Sequence, residues 1–285
     1  MFLLKIFHYI KGVSEWTKRQ NNAFSFVPTM GALHEGHLSL VEKAKALGRP
    51  VLVSIFVNPA QFNNAEDLQK YPRTLKQDLR LLQDAGVDAV FLPVTEDLYP
   101  TELPEVSLDL GSLENVFEGQ HRPGHFAGVI KVLHRLFSAL GPRDVFFGQK
   151  DLQQCLVVEK LIAGFFPDIH QHNIPTRRDP QTGLALSSRN VRLSKQGVVT
   201  AGAINWSLQL ALQGKTVDEG LTEARSYLEN KGITIEYLDV VSLPDMLHTE
   251  EIVDKKTASV FAGYVEGVRL IDNHVFIDIP EITVF

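Results

Sequence analysis

Cysteine is almost missing from this chain. Cys155 is the single one among 285 residues, which excludes an internal disulfide and any metal centre built from several thiolates. Long apolar runs are missing as well. The opening MFLLKIF is too short for the core of a signal peptide and soon meets His8, Lys11 and Glu15, and no later stretch approaches the roughly 18 apolar residues of a membrane span. An excess of positive charge is the third absence. Lys and Arg number 28 against 34 Asp and Glu, a net charge of -6, so the chain carries no overall electrostatic footprint for nucleic acid. Any anion it binds must be held by local groups. These absences lead us to expect a cytoplasmic protein with no membrane anchor and no nucleic-acid partner.

What is present is the composition of an ordinary soluble globular protein, 44% hydrophobic and 22% charged, at a length that suits one medium domain plus a small one. Short β-rich runs alternate with amphipathic stretches through the first 175 or so residues. Strand patterns at 24–27, 51–57, 88–92, 144–147 and 169–174 are interleaved with helical patterns at 36–47, 75–84, 128–140 and 151–163. Such alternation predicts a Rossmann-like, doubly wound parallel sheet, which binds ligands beyond the carboxyl ends of its strands. From about residue 177 the texture changes to a loop rich in charge, Gly and Ser, two helical stretches (199–212 and 217–230) and short strand-like runs at 235–241, 258–264 and 268–272. The expected organisation is an α/β domain over 1–176 and a smaller α+β domain over 177–285.

Five segments carry chemistry. PTMGALHEGH, residues 28–37, sits where the first predicted strand gives way to a helix. Backbone N–H groups and the positive end of the helix dipole favour an anion there. His34 and His37 fall three residues apart and share a face, while Gly31 and Gly36 permit close backbone approach. A bare helix cap is the bland alternative for such a pair. Zinc is another, but no third protein ligand is evident. SIFVNPAQF (residues 54–62) places Asn58 and Gln61 at a strand end, although Asn-Pro is also a common turn signal. FEGQHRPGHFAGV (117–129) offers Arg122 and His125 to a carboxylate or phosphate. FFGQKDLQQ (146–154) puts Lys150 at another strand-to-helix junction with Gln154 one turn on, and GLALSSRN (183–190) carries two hydroxyls and an arginine in a loop.

His-x-Gly-His after a first strand marks the nucleotidyltransferase superfamily, and together the five segments closely resemble pantothenate synthetases. The likeness resumes at EYLDVVSLPDML and VRLIDN. The resemblance implies ATP-dependent condensation of pantoate with β-alanine through a pantoyl-adenylate, releasing AMP and pyrophosphate. It implies an ATP site formed by Met30, Gly31, Ala32, Leu33, His34, Glu35, Gly36 and His37, by Gly148, Gln149, Lys150 and Asp151, by Leu186, Ser187, Ser188 and Arg189, and by Arg177 on the adenine side. His34, His37, Lys150 and Arg189 would be catalytic, with His37 in the position of proton donor. Gln61 and Gln154 match the glutamines that hold pantoate, with Gln61 also near the β-alanine path, and Asn58 and Arg122 are further members. Magnesium is expected with ATP, Asp78 being a candidate contact, and the resemblance also implies a homodimer. Two departures stand out. Gln149 and Leu152 occupy positions usually held by Glu and Tyr, and the 175–183 stretch is one residue longer, with Thr182 in place of Asp.

Rival readings are a nucleotidyltransferase acting on a phosphate or nucleotide, and a tRNA-binding fragment of synthetase type. The first would want several cations where this chain has glutamines. The second would want a basic patch laced with aromatics, which is missing.

Overall fold

The computed structural model describes residues 4–63, 65–100 and 106–276, so the first three residues of the opening apolar stretch lie outside it. Two compact units result, Met1–Leu110 with Glu118–Arg177, and Gly111–Phe117 with Arg178–Phe285.

In chain order the first part of the protein contains β1 (Lys5–Phe7), α1 (Ile10–Arg19), β2 (Ser25–Thr29), α2 (Glu35–Ala46), β3 (Val51–Ile55), α3 (Ala65–Lys70), α4 (Leu75–Asp84), β4 (Ala89–Phe91) and α5 (Thr95–Leu98). Next come α6 (Phe117–His121), α7 (His125–Leu140), β5 (Asp144–Gly148), α8 (Leu152–Phe165) and β6 (His170–Ile174). The strands form one parallel sheet in the order β1-β4-β3-β2-β5-β6. Every residue of β4, and all but the last of β3 and β5, is buried, the signature of a sheet covered on both faces. Val27, Val53 and Val90 from three neighbouring strands pack with Leu40, Val41 and Ala44 of α2 and with Leu82 of α4. The chain winds from β2 out to β3 and β4, then crosses to β5 and β6 on the other flank. Strand order therefore reverses between β2 and β5, where such sheets open a crevice at the carboxyl ends.

The second unit holds α9 (Lys195–Ala201), α10 (Ala203–Gln213), α11 (Val217–Asn230) and the strands β7 (Thr234–Ser242), β8 (Leu247–His248), β9 (Thr257–Val265) and β10 (Val268–Val275). These strands form an antiparallel sheet in the order β10-β9-β7-β8. Ile204, Leu208 and Ala211 of α10 and Leu221, Ala224 and Leu228 of α11 fall on helical spacing and bury against Leu238, Val240, Phe261 and Leu270 of the sheet. Among the described residues, no helix is long and apolar enough to cross a membrane.

Candidate active site

The turn from β2 to α2 is built on two left-handed residues, Gly31 at φ 79° and Ala32 at φ 49°. The conformation suits glycine and costs alanine something. Asp78 of α4, 1% exposed, holds it in place. Its Oδ2 accepts from Ala32 N at 3.0 Å and its Oδ1 from Leu33 N at 2.9 Å and from Thr74 Oγ1 at 3.0 Å. Successive amides of left-handed residues form a concavity that takes an anion. Here the anion is the protein's own carboxylate. Asp78, expected as a magnesium contact, is here a buried brace with both oxygens engaged.

The amides expected to meet phosphate are engaged too. His34 Nδ1 accepts from Gly36 N at 3.1 Å, and His37 Nδ1 accepts from His34 N at 3.3 Å, a reciprocal cap on α2. Leu33 is buried in the core with Val27 and Val41. What the turn offers outward is therefore imidazole rather than backbone. With both Nδ1 atoms accepting, each neutral ring carries its proton on Nε2. Burial, then the charge of Lys150, lowers His34 to about 4 against the opposing pull of Asp151. Burial, then His34 and Lys150, lowers His37 to about 3. The rings lie 4.2 Å apart between centroids. Near neutral pH the pair consists of two uncharged N–H donors, so His37 in this state is a hydrogen-bond donor rather than an imidazolium acid.

Lys150 sits in a 3-10 turn, Gln149–Asp151, that follows β5 directly, and its Nζ lies 3.6 Å from Asp151 Oδ1. Its positive charge is felt by both histidines across the β2/β5 boundary. The ammonium and two neutral donors thus converge where the strand order reverses, a fit for phosphate oxygens. Cys155, one turn into α8, is buried, and its thiol is pushed well up by burial and by Asp151 and Glu159, so it remains a neutral core group.

A second cluster lies around the 3-10 turn Pro59–Gln61. Asn58, expected as a substrate contact, is 1% exposed. Its Nδ2 donates to Gly128 O at 3.1 Å, while its Oδ1 accepts from Ala60 N at 3.3 Å and from Tyr99 Oη at 2.9 Å. It ties the turn to α7. Arg122, also expected at the substrate, ion-pairs with Glu118 at 3.3 Å and donates to Gln61 O at 3.2 Å and to His125 Nε2 at 3.2 Å. His125 Nδ1 lies 2.8 Å from Gln61 O. A carbonyl only accepts, so His125 carries its proton on Nδ1, the opposite tautomer to the cap histidines. Burial, then Arg122, lowers His125 to about 4, with Gln61 O, Glu118 and Asp151 opposing.

Of the two adjacent glutamines of α8, Gln153 is buried and its Oε1 accepts from Glu118 N at 3.0 Å, while Gln154 is half-buried. The side-chain amides of Gln61 and Gln154 have no hydrogen-bond partner among the described residues, which leaves them available to a polar ligand. Met30, Gly36, Gly148, Gln149 and Lys150 are partly buried, while Glu35 and Asp151 are exposed. Four contributors escaped the sequence reading: the bracing role of Asp78, and Tyr99, Glu118 and Gln153. Only the four-residue spacing of Glu118 and Arg122 could have signalled one of them.

In the second unit, Ser187 Oγ caps the 3-10 turn Ser188–Arg192 by accepting from Arg189 N at 3.3 Å. Asn190 Nδ2 donates to Ala185 O at 2.9 Å. Leu186, Ser187 and Arg189 are half-buried and Ser188 is buried. The loop is anchored by Arg178, which meets Asp272 of β10 at 2.5 and 3.0 Å. Arg177 is exposed. Thr182, at the departure from the family pattern, donates to Asp179 Oδ1 at 3.0 Å and accepts from Leu184 N at 3.3 Å.

A family profile described as pantoate-beta-alanine ligase matches residues 5–275. The pantothenate synthetase of Cytophaga hutchinsonii is 44% identical over 267 residues, 91% of this chain and 94% of that protein. That of Bacillus licheniformis is 40% identical over 276 residues, 95% and 94% of the two chains. Among solved structures, the pantothenate synthetase of Thermus thermophilus superposes with a TM-score of 0.89 at 37% identity, covering 95% of this chain and 99% of that one. A Francisella tularensis pantoate-beta-alanine ligase complexed with beta-gamma ATP and beta-alanine gives 0.81 at 34% identity, covering 96% and 98%. With the profile spanning residues 5–275 and relatives matched over more than nine-tenths of both chains, the chain belongs to the pantoate-beta-alanine ligase family.

Proposed function

We propose that the chain condenses pantoate with β-alanine at the expense of ATP, through a pantoyl-adenylate. The observation that carries this reading is the pairing of two donor sets in the first unit: the Nε2–H groups of His34 and His37 with Lys150 for phosphates, and the unengaged amides of Gln61 and Gln154 for a small hydroxy acid. A pantoate carboxylate oxygen attacks the α-phosphorus, the bond to the bridging oxygen breaks, and pyrophosphate leaves. Charge on the phosphates is met by Lys150 and by the two imidazole N–H groups, which donate without giving up a proton. We assign Ser187, Ser188 and Arg189 to the phosphates as well, on their hydroxyl and guanidinium chemistry. The β-alanine amine then attacks the acyl carbon, AMP departs, and the nitrogen loses a proton.

Magnesium enters with the substrate, on phosphate oxygens and water. Among the described residues no cluster of three or more His, Cys, Asp or Glu could hold an ion. The family resemblance further supports a homodimer in the cytoplasm, which sedimentation and fractionation would test.

Because the phosphate donors and the glutamine amides are separate sets, the adenylate can form before any amine is present. Enzyme, ATP, magnesium and pantoate are therefore expected to exchange labelled pyrophosphate into ATP without β-alanine, and Lys150→Ala to suppress that exchange. Exchange that strictly requires β-alanine would defeat the two-step route.

A further inference from the structure

The corner formed by α6, α7 and the Pro59–Gln61 turn contains a charged, hydrogen-bonded cluster that touches both glutamine-bearing segments. Glu118, His125, Gln61 and Gln153 are all buried. Two donors, His125 Nδ1–H at 2.8 Å and Arg122 Nη2 at 3.2 Å, converge on the single carbonyl of Gln61. The amide of Gln61 is fixed as well, donating to Asn58 O at 3.2 Å. Every main-chain polar group of Gln61 is thus held, while its side-chain amide has no partner among the described residues. On the other side of the corner, Glu118 N donates to Gln153 Oε1 at 3.0 Å, which fixes the first turn of α8 next to Gln154. Two glutamines from segments far apart in sequence are referred to one rigid corner.

We propose that Glu118, Arg122 and His125 form a positioning network that sets the spacing of Gln61 and Gln154 and so determines the grip on the hydroxy-acid substrate. This rests on the assignment of pantoate to those two glutamines. The network acts through Gln61 O and Gln153 Oε1. A ligand held by two amides on separate segments needs both within a few tenths of an ångström of the productive geometry, and a buried supporting cluster is the means by which such geometry is held.

His125 is the member to test, because it is neutral and its removal strands no unpaired charge. His125→Ala deletes a donor to Gln61 O. His125→Asn keeps an amide N–H close to the place of Nδ1. The expected result is a KM for pantoate raised about tenfold or more in His125→Ala, with the KM for ATP within about twofold of the parent, and recovery of most of the loss in His125→Asn, since one buried hydrogen bond is worth about this much. A role confined to stability would lower the melting temperature without dividing the two substrates. Equal rises in both KM values, a pure fall in kcat, or no recovery in His125→Asn would overturn the network. Should His125→Ala fail to fold, Arg122→Lys carries the same test, since it keeps the charge and loses the fork that reaches Gln61 O and His125. Gln61→Ala separates the two levels. If it leaves the pantoate KM unchanged, the substrate assignment fails. If it raises that KM and His125→Ala does not, the network alone fails.

Discussion

Asp78 shows how much of a candidate site can consist of residues that hold other residues in place. Its carboxylate fills the concavity made by Gly31 and Ala32, holds the amides of Ala32 and Leu33, and so sets where His34 begins the helix. A β-carbon on Gly31 would lie 3.0 Å from Ile55 Cγ2 and 3.2 Å from Asp78 Oδ2, so φ favours glycine there and the space around it is tight as well. Asp78→Asn turns one acceptor into a donor facing an amide. It is expected to cost about 1 to 3 kcal/mol of stability and to slow adenylation roughly tenfold to a hundredfold by loosening the histidine pair. Magnesium titration separates this role from metal ligation. A brace leaves the magnesium dependence of the variant like that of the parent, whereas an activity deficit restored by excess magnesium would make Asp78 a ligand after all.

At the scale of elements, the contact that matters most for the substrate side is α7 against the Pro59–Gln61 turn. A β-carbon built on Gly128 would lie 2.1 Å from Ala60 O and 2.5 Å from Ala60 C, and Asn58 Nδ2 donates to the Gly128 carbonyl. Backbone meets backbone here, so neither side can yield by a rotamer change. Ala in place of Gly128 would favour the helix by about 1 kcal/mol on propensity alone, yet the clash is larger. Gly128→Ala is therefore expected to destabilise by about 1 to 3 kcal/mol or more and to weaken pantoate use before ATP use. A melting temperature equal to or above that of the parent would show that the two elements part at no cost.

α7 was legible in the sequence because its apolar residues recur on helical spacing, and β3 because it is a short continuous apolar run. β1 was not, since three residues with a largely exposed pattern carry no period, whereas α1, which buries Val13, Trp16 and Thr17 on helical spacing, was periodic and was passed over. The cap histidines were legible for the same reason that they are useful, their three-residue spacing at a strand end. The tautomer of His125, the engagement of Asp78 and the inward turn of Asn58 were not, because each depends on a partner tens of residues away. Adjacent Gln153 and Gln154 make the point plainly, being one residue type on one helix, with one side chain engaged by Glu118 N and the other left open.

For the molecule as a whole, these buried neutral histidines set a dependence on pH. His34, His37 and His125 are lowered by burial to about 4, 3 and 4, from about 6.5 in an unfolded chain. Their folded values lie below the unfolded value, so below pH 6.5 the unfolded chain takes up protons that the folded protein refuses. Stability is then expected to be nearly level above pH 7 and to fall as pH drops from 6.5 toward 4, with unfolding at pH 5 taking up about three protons per molecule from this source. The carboxyls of Asp179 and Glu266, held below their usual range mainly by hydrogen bonds from Thr182 and Ser194, act in the same direction but only at lower pH, where carboxylates titrate, so the two contributions separate. Urea unfolding at stepped pH values between 7.5 and 4.8 gives the slope directly. A stability that stays level from pH 7.5 to 5 would mean that the rings are protonated in the folded protein, and the two Nε2–H donors would then have to be read as imidazolium ions.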